Sequence, residues 1–398
     1  MRRRILVLLP SVPMPADAGA KLRNLGLLRA LQADQSFEVD ALALGTPAEQ
    51  ARLAPLVRQA RVVPLPGRRQ LHQRLRDLAL TPLPDMALRA WSPAFAAAVA
   101  CALRTERYDL VQAEGIEMAG YLARVPAEQR VYDAHNAEFL LQRRASQLAP
   151  SLVARLYSRL QWRRLERFER QLVRSSRLVL AVSEHDANQL LALANAAARV
   201  RVVPNGINVT DYPLRRRAAE AAPNLLLLGK LDFRPNAEAA RWLVERVLPG
   251  LVAEMPAARL FCVGRTPPAW LVRAGQHDER IAVTGYVADE RPYLERAAAL
   301  LLPLRVGGGT RLKALVAMAS GLPIVSTRLG MEGLEAVPGE HYLGAETAAE
   351  WVQALRRVLG DAGLRQRLTV AARALVEQRY DWRTLTPTVH RTYAELFA

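Results

Sequence analysis

The stretch that decides the fold is LPLRVGGGTRLKALVAMASGLPIVST, residues 302–327. It begins as an apolar strand, passes through three glycines and continues with apolar residues at helical spacing. Glycine lets a backbone approach a ligand closely, and the first turn of a following helix points N–H groups and a positive dipole at an anion. The stretch therefore predicts an α/β domain with a diphosphate site at this loop.

The residues of this loop supply backbone donors, a helix cap and positive charge. They are Gly307, Gly308, Gly309, Thr310, Arg311 and Lys313. Threonine is a preferred helix cap. The two cations would stand in the first turn, where each opposes the helix dipole by up to about 1 kcal/mol. Cations at that position indicate a bound anion; the alternative is that they are solvated surface charges without a ligand.

Short apolar runs bounded by turn residues recur along the chain, with helical patterns between them. In the first half they are Ile5–Leu9, Val39–Leu44, Arg61–Leu65, Leu110–Ala113, Arg130–Asp133, Leu178–Val182 and Val200–Val203. In the second half they are Leu225–Leu228, Leu260–Val263, Ile281–Val283, Leu300–Leu304 and Ile324–Ser326. Such runs are typical of buried parallel strands. The chain is predicted to form two doubly wound Rossmann-like domains facing across a cleft, with ligands beyond the carboxyl ends of the strands.

The length of 398 residues favours two cores over one, because a single core rarely grows beyond about 250–300 residues. We expect a first domain over residues 1–205, a linker over 206–223 and a second domain, which contains the glycine loop, over 224–379. Residues 380–398 are expected to form a closing helix. Residues 68–104 and 138–177 are interpreted as helical insertions in the first domain.

The net charge of +17 lies mainly in the first half, where residues 1–205 carry +12. A basic surface can bind nucleic acid, anionic lipid or acidic small molecules. Because only three of the basic residues are lysines, a genome that favours arginine is the alternative explanation. The arginine-rich insertion at 138–177 also has an apolar face, so it is either an interfacial membrane helix or a helix packed on its own sheet.

The cysteines and the apolar runs indicate the compartment. Cys101 and Cys262 match neither a disulfide framework nor a zinc site. The run Ile5–Leu9 is too short for a signal peptide, and no stretch approaches the roughly 20 apolar residues that span a bilayer. We expect a cytoplasmic protein, either free or peripheral at the inner face of the membrane.

Further motifs follow in a characteristic order. They are Pro10–Leu31 around Gly19, VYDAHN at 131–136, AVSE at 181–184, VPNGI at 203–207 and GKLDFRPN at 229–236. Together with the triple glycine followed by Thr-Arg-Leu-Lys, these motifs resemble family 4 retaining glycosyltransferases of the GT-B fold. The resemblance extends over nearly the whole chain.

The resemblance implies transfer of a sugar, as a hexosyltransferase, from a UDP- or GDP-type nucleotide-diphosphate sugar with retention at the anomeric carbon. It implies that residues 1–205 form the acceptor-side domain and that residues 224–379 bind the nucleotide sugar. It implies a glycan or lipid-linked acceptor, with an anionic membrane surface as a further partner, and neither nucleic acid nor a resident cofactor. The chain contains no Asp-x-Asp, so a metal-clamped diphosphate is not expected. Lys230, Arg311 and Lys313, with Arg234 as a further candidate, would neutralise the leaving group instead.

The resemblance also assigns residues of the first domain. His135 would lie beside the transferred sugar, where a neutral imidazole could hydrogen-bond a hydroxyl, although a structural role is the alternative. Gly19 would let the first loop approach the diphosphate. Lys21 and Arg23 belong to the same matched segment, and charges on a helix surface are the alternative interpretation.

One position departs from the family pattern. Many members place a glutamate where this chain has Val316, and that glutamate would accept hydrogen bonds from the nucleotide ribose. Valine cannot accept them, and leaving a buried hydroxyl without partners costs about 1–3 kcal/mol. A weakened chain that binds a nucleotide sugar, or acts as a scaffold, is therefore the rival prediction.

Two other enzyme classes share the α/β pattern. A nicotinamide enzyme would need GxGxxG after the first strand, and Pro10, Pro13 and Pro15 stand there instead. An epimerase of the same fold would need carboxylates around the sugar, for which Glu114 and Glu117 are the first-domain pair near a strand end.

Overall fold

The computed structural model describes residues 2–67, 69–147, 151–195, 198–214, 223–305 and 311–397. The chain divides into two compact units. The first contains Met1–Gly206 and Leu385–Ala398, and the second contains Ile207–Thr384. The last residues of the chain therefore return to the first unit.

The first unit alternates strands and helices. Its elements, in chain order, are β1 (Arg3–Leu9), α1 (Gly19–Ala33), β2 (Phe37–Gly45), α2 (Gln50–Leu53), β3 (Gln59–Pro64), α3 (Leu71–Leu80), α4 (Asp85–Arg89), α5 (Pro93–Thr105), β4 (Leu110–Glu114), α6 (Ile116–Ala119), β5 (Arg130–Ala134), α7 (Glu138–Gln147), α8 (Leu152–Ser175), β6 (Leu178–Ala181), α9 (Glu184–Ala194) and β7 (Val200–Val202).

The second unit repeats this alternation and ends in a run of helices. Its elements are β8 (Asn224–Leu228), α10 (Arg234–Trp242), α11 (Leu248–Glu254), β9 (Arg259–Val263), α12 (Ala269–His277), β10 (Ile281–Gly285), α13 (Arg291–Arg296), β11 (Ala299–Leu302), α14 (Leu312–Ala319), β12 (Ile324–Ser326), β13 (Leu343–Gly344), α15 (Ala348–Gly360), α16 (Ala362–Arg379) and α17 (Trp382–Ala394), whose residues from Leu385 belong to the first unit.

Both sheets follow the same strand order over six strands, and the first sheet has a seventh strand. In the described residues the first sheet runs β3-β2-β1-β4-β5-β6-β7 and the second β10-β9-β8-β11-β12-β13, with every pair parallel. The order reverses direction between β1 and β4, and again between β8 and β11. Crossovers leave such a switch point in opposite directions, which opens a crevice at the carboxyl ends of its two strands.

Continuous burial of the strands explains why the apolar runs predicted them. Leu225 to Leu228 of β8 are all buried, and so are all residues of β4, β6, β11 and β12. A parallel strand covered on both faces needs apolar side chains at every position. Each predicted run coincides with an observed strand to within about two residues at each end, which is the usual scatter of strand limits.

Two short elements differ from the prediction. Strand β13 was not predicted, because two residues are too few to produce an apolar run. Helix α14 begins at Leu312 with Arg311 at the cap position, whereas Thr310 was expected to be the cap. Among the described residues, no helix is both long and apolar enough to cross a membrane. The prediction of two doubly wound α/β domains is confirmed.

Trp351 anchors the core of the second unit. Its ring is fully buried, its Nε1 donates to the Ala345 carbonyl at 2.9 Å, and it packs edge-on against Trp242 at 5.8 Å between ring centroids. We expect Trp351→Ala to lower the free energy of unfolding by about 3–5 kcal/mol, because a large cavity and an unpaired carbonyl remain. Urea denaturation followed by circular dichroism measures this loss.

Val370 provides the matched control, because it lies exposed on α16 of the same unit. Val370→Ala should change the free energy of unfolding by no more than about 0.5 kcal/mol. Equal effects of the two substitutions would show that Trp351 does not anchor this core.

Candidate active site

Polar residues gather at the switch point of the first sheet. Glu114 ends β4, Asp133 lies in β5, and His135 follows the last residue of β5. Gly19 is the first residue of α1, the helix that follows β1, and it is exposed. The topology therefore brings ionisable side chains to the carboxyl ends of the strands, where a doubly wound sheet binds its ligands.

Arg23 forms a buried ion pair with Asp133. The guanidinium Nε and Nη2 donate to the two carboxylate oxygens at 2.7 and 2.5 Å, and Nη1 donates to the Val203 carbonyl at 2.8 Å. Arg23 is 1% exposed and Asp133 fully buried. Removing one partner of such a pair leaves an uncompensated buried charge. The interpretation of Arg23 as a surface charge is therefore wrong.

His135 lies between two carboxylates. Its Nε2 is 3.4 Å from Glu114 Oε2 and 3.4 Å from Asp133 Oδ2, and its side chain is 15% exposed. Burial lowers the pKa of His135, but the hydrogen bonds and charges of Asp133 and Glu114 outweigh burial and raise it to about 10. The flanking carboxylates therefore favour the imidazolium at neutral pH, whereas the sequence-based expectation is a neutral imidazole.

The two carboxylates differ in their charge. Burial would raise the pKa of Asp133, but Arg23 and His135 together hold it below its ordinary value. Burial, followed by the negative charge of Asp133, raises the pKa of Glu114 to about 7, although His135 opposes the rise. Asp133 is thus always ionised at neutral pH, whereas Glu114 titrates near it.

The last helix of the chain extends this polar network. Gln112 Nε2 donates to Glu114 Oε1 at 2.5 Å, and the hydroxyl of Tyr393 in α17 donates to Gln112 Oε1. When the side-chain amide of Asn24 is oriented with its nitrogen towards Glu114 and Ala20, that nitrogen donates to Glu114 Oε2 and to the Ala20 carbonyl, both at 2.9 Å. Glu114 is therefore held from α1 and, through Gln112, from α17.

Two buried carboxylates fix the backbone after His135. Asp186 Oδ1 accepts from the Ala137 N–H at 3.0 Å. Glu169 accepts from the Phe139 N–H at 2.9 Å and the Glu138 N–H at 3.3 Å. A carboxylate at the first N–H groups of a helix is stabilising, so Glu169 caps α7. His135 consequently stands on a backbone with few alternative conformations.

Within the described residues, Glu114, Asp133 and His135 are the one group of three whose ligand atoms lie within 4.8 Å of one another. Arg23 already occupies both oxygens of Asp133, and His135 carries a proton that a metal would have to displace. The cluster therefore fits an internal set of ion pairs rather than a metal centre.

Lys313 occupies the switch point of the second sheet. Its Nζ lies 3.2 Å from Asn236 Oδ1, and Asn236 Nδ2 donates to the Lys230 carbonyl at 2.8 Å. Gly229, directly after β8, has a φ of +136°, and a Cβ there would lie 2.0 Å from Lys313 Nζ. Glycine at 229 therefore leaves the room that the ammonium group fills.

The charge of Lys313 is only partly compensated. Burial, followed by the positive charge of Arg311, lowers the pKa of Lys313 to about 8, against an opposing contribution from Glu290. A lysine with a lowered pKa is stabilised by any anion that reaches it. Among the residues of the second unit that the structure describes, Lys313 is therefore placed to receive a phosphate.

The structure describes only some of the other residues predicted to bind the donor. Gly307, Gly308, Gly309 and Thr310 lie outside the described residues. Lys230 is 51% exposed and lies 3.5 Å from Asp232, while Arg234 is exposed at the first position of α10. Arg311 Nη2 is 3.5 Å from the Leu329 carbonyl.

Val316 lies in the core. Its side chain is 3% exposed and belongs to an apolar cluster with Leu315 and Met318. The Ser320 hydroxyl donates to its carbonyl at 2.8 Å. Valine at this position therefore contributes packing.

The sequence interpretation missed several members of these clusters. Arg23 shares the spacing of Leu27 and Leu31, so its place on the buried face of α1 could have been recognised. Asp133 and His135 are two residues apart along an extended segment, which puts them on one face. Asn236 carries no local signal, because its partner Lys313 is distant in the chain.

The buried pair predicts a large stability difference between neighbouring basic residues of α1. Arg23→Gln should lower the free energy of unfolding by about 3–5 kcal/mol, because Asp133 would be left buried and unpaired. Lys21→Gln should cost no more than about 1 kcal/mol, since Lys21 pairs with Asp17 at the surface. Chemical denaturation measures both; similar losses would contradict the buried pair.

The charge of His135 is observable by NMR. We expect the ring to remain an imidazolium from pH 6 to 9 and to titrate at about 10. Its contribution to stability is complete below the ordinary pKa of about 6.5 and is lost as pH rises towards 10. Glu114→Gln should lower the pKa of His135, and an unshifted titration in that variant would contradict the cluster.

Two family models match the chain. The model described as Glycosyltransferase Family 4 matches residues 19–211, and the model described as Glycosyl transferases group 1 matches residues 222–361. Glycogen synthase of Mycobacterium tuberculosis is 27% identical over 241 residues, which are 58% of this chain. The chain spans 57% of the length of this curated relative.

Solved structures share the fold. Sucrose-phosphate synthase from Thermosynechococcus elongatus has a TM-score of 0.76 at 19% identity, covering 99% of both chains. Anabaena HepE, solved with UDP and glucose, has a TM-score of 0.67 at 15% identity, covering 98% of this chain and 99% of its own. With a family 4 domain followed by a group 1 domain, the chain belongs to the glycosyltransferases of the GT-B fold.

Proposed function

We propose that this chain transfers a hexosyl group from a nucleotide-diphosphate sugar to a glycan or lipid-linked acceptor, with retention and without a metal ion. The observation that carries the proposal is Lys313, a partly compensated ammonium group at the switch point of the second sheet. A diphosphate supplies the negative charge that this group lacks. The proposed donor-binding residues are those predicted from the sequence other than Val316, with Asn236 added because its Oδ1 lies 3.2 Å from the Lys313 Nζ.

UDP is the first nucleotide to test. HepE, a protein with the same fold, has been solved with UDP and with UDP-glucose. In this chain the expected diphosphate contacts are charge and backbone N–H groups, neither of which reads the base. Competition between UDP and GDP therefore distinguishes the two donor types.

In the first unit, His135 is the proposed sugar-binding residue. Two carboxylates hold its Nε2, which leaves Nδ1 as the second donor of the imidazolium. Gly115 has a φ of +77°, and a Cβ there would approach Nδ1 to 3.3 Å. The same Cβ would lie 3.1 Å from Glu117 Oε2, so glycine at 115 leaves room beside Nδ1, and a sugar hydroxyl is the group proposed to use it. A cation can also stabilise negative charge that develops during transfer.

The proposed chemistry needs little from a protein base. In a retaining transfer, the leaving diphosphate oxygen accepts the proton of the acceptor hydroxyl on the same face of the sugar as the new bond. The protein then contributes positioning and charge stabilisation. Lysine and arginine would neutralise the leaving diphosphate, which is the role a metal ion has in other transferases.

Val316 favours a second candidate function, binding of a nucleotide sugar without efficient transfer. Its side chain offers no hydrogen-bond acceptor for a ribose and is already packed in the core. Donor protection in thermal melts without product formation would support this candidate. Product formation would reject it.

Lys313→Gln tests the proposed phosphate contact. We expect UDP affinity, measured by calorimetry at pH 7, to fall by roughly ten- to a hundredfold, the range for losing a hydrogen bond to a charged group. Because the ammonium form of Lys313 is lost above pH 8, the ratio of wild-type to variant affinity should decline from pH 7 to pH 9.

Arg246→Gln is the control for net charge, because Arg246 is an exposed basic residue of the same unit. Its UDP affinity should equal that of the wild type. If Lys313→Gln binds UDP as tightly as Arg246→Gln does, the phosphate assignment is wrong. A ratio that does not change with pH would show that Lys313 does not act through its charge.

A further inference from the structure

An open pocket of about 950 Å³ lies in the first unit, lined by α3, α4, the segment after α6 and the second half of α8. Its lining includes Arg130, at the start of β5, whereas His135 follows the other end of that strand. A five-residue strand extends about 16 Å, so at β5 the pocket lies well away from the candidate active site. The proposed function gives this pocket no role.

The floor and walls of the pocket are apolar. Leu122 and Leu172 form part of the buried lining, and Leu88 and Phe168 line it with partial exposure. Trp91 also lines it, stacked on Tyr121 at 4.9 Å, yet 42% of Trp91 remains exposed. Soluble proteins usually cover large apolar side chains unless a ligand or partner does so. The lining therefore fits an apolar occupant.

The polar groups that line the pocket are mainly positive. Arg69, Arg76 and Arg130 line it, and Asp77 is the acidic residue among the lining side chains. Arg69 is already paired with Asp77 at 3.2 Å and with Asp85 at 2.6 Å, so Arg76 and Arg130 are the candidates for a phosphate contact. Arg76 is 66% exposed, and its contact with Asp77 is long, at 3.4 Å. Guanidinium groups bind phosphate well because their donors match its oxygens. An apolar floor with basic groups matches an amphiphile that carries a negative head.

We propose that this pocket binds the hydrocarbon chain of an anionic phospholipid, with its phosphate among the lining arginines. The chain lies over Leu122, Leu172 and Phe168, and the head contacts Arg76 and Arg130. The site takes lipid whether or not the chain transfers sugar, so its test needs no turnover. Lipid binding here would also hold the first unit at an anionic membrane surface.

The surface around the pocket supports this occupant. Helix α3 exposes Leu71, Leu75 and Leu80, and the first half of α8 exposes Leu152 and Leu156. The two helices are joined by the Arg74–Tyr157 hydrogen bond at 3.2 Å and by Arg164 donating to the Leu78 carbonyl at 2.7 Å. Exposed leucines beside a lipid pocket can enter the boundary of an acyl layer.

Charge favours a lipid over a second copy of this chain. Residues 139–165 contain six arginines and no acidic residue, and Arg155, Arg159 and Arg163 are exposed on α8. A symmetric contact would bring the same arginines of two copies together, and like charges across an interface are unfavourable. An anionic layer of lipid headgroups attracts these arginines when the separation is about one Debye length or less.

Gly120 offers a position from which a side chain can enter the pocket. It is helical, and a Cβ there would have Trp91 Cε3, at 4.0 Å, as its nearest neighbour. Gly120→Leu therefore places a side chain beside Trp91 in the space of the acyl chain. Gly360→Leu is the matched control, because a Cβ at 360 meets nothing within 4 Å.

The test measures binding of single-chain lysophosphatidylglycerol, below its micelle concentration, to the full chain by calorimetry. We expect saturable binding, weakened at least about tenfold by Gly120→Leu and unchanged by Gly360→Leu. Leu88→Gln, a second lining variant, should weaken it as well. Arg76→Gln should weaken binding more than Arg155→Gln, whose arginine lies outside the pocket. Lysophosphatidylcholine should bind more weakly, and inorganic phosphate alone should not compete.

Four results would overturn the proposal. The first is no binding of lipid by the wild type, and the second is full competition by inorganic phosphate. The third is equal binding by the two glycine variants when thermal melts show that both are folded. The fourth is self-association of the chain that Gly120→Leu abolishes, in the absence of lipid binding. The last would assign the pocket to a second copy of the chain. Because no sugar donor is present, none of these outcomes depends on the proposed transfer activity.

Discussion

Parallel strand pairing is the constraint on which the organisation of both units depends. Each described sheet has no antiparallel pair, so every connection must cross over and return to the same edge. The order reverses once in each sheet, beside β1 and β8, and the crevice at that point receives the loops that carry function. The His135 cluster and the Lys313 ammonium therefore occupy equivalent places in two units with different sequences.

The two units differ in how far their buried charges are compensated by opposite charges. In the first, the carboxylates of Asp133 and Glu114 face the cations of Arg23 and His135, so the charges are compensated within the protein. In the second, Lys313 faces the neutral amide of Asn236, Arg311 adds a like charge nearby, and Glu290 compensates the charge only in part. Compensated charge fixes the position of a side chain, whereas partly compensated charge provides affinity for an anion. The first arrangement suits a group that orients a sugar, and the second suits a group that binds phosphates.

The arginine excess has several structural uses. Arg23 is buried in an ion pair, Arg130 donates to the Val125 carbonyl while lining the apolar pocket, and Arg155 is exposed on α8. Composition alone assigns these residues one property, positive charge. Their environments separate them into structural residues, candidate ligand contacts and a basic surface, and only the last contributes fully to long-range attraction.

The sequence by itself determined the elements that depend on local pattern. Apolar runs located β1 to β12, because a strand buried on both faces needs apolar residues throughout, and the glycine stretch and ordered motifs indicated the family. The tertiary structure alone decided the charge of His135, because that charge depends on Glu114, Asp133 and Arg23, which come from three separate elements. It also decided that Arg23 is buried, that Val316 packs in the core, and that separate helices form one apolar pocket. Pattern reports the face on which a residue lies, whereas electrostatic interactions depend on distances that only folding establishes.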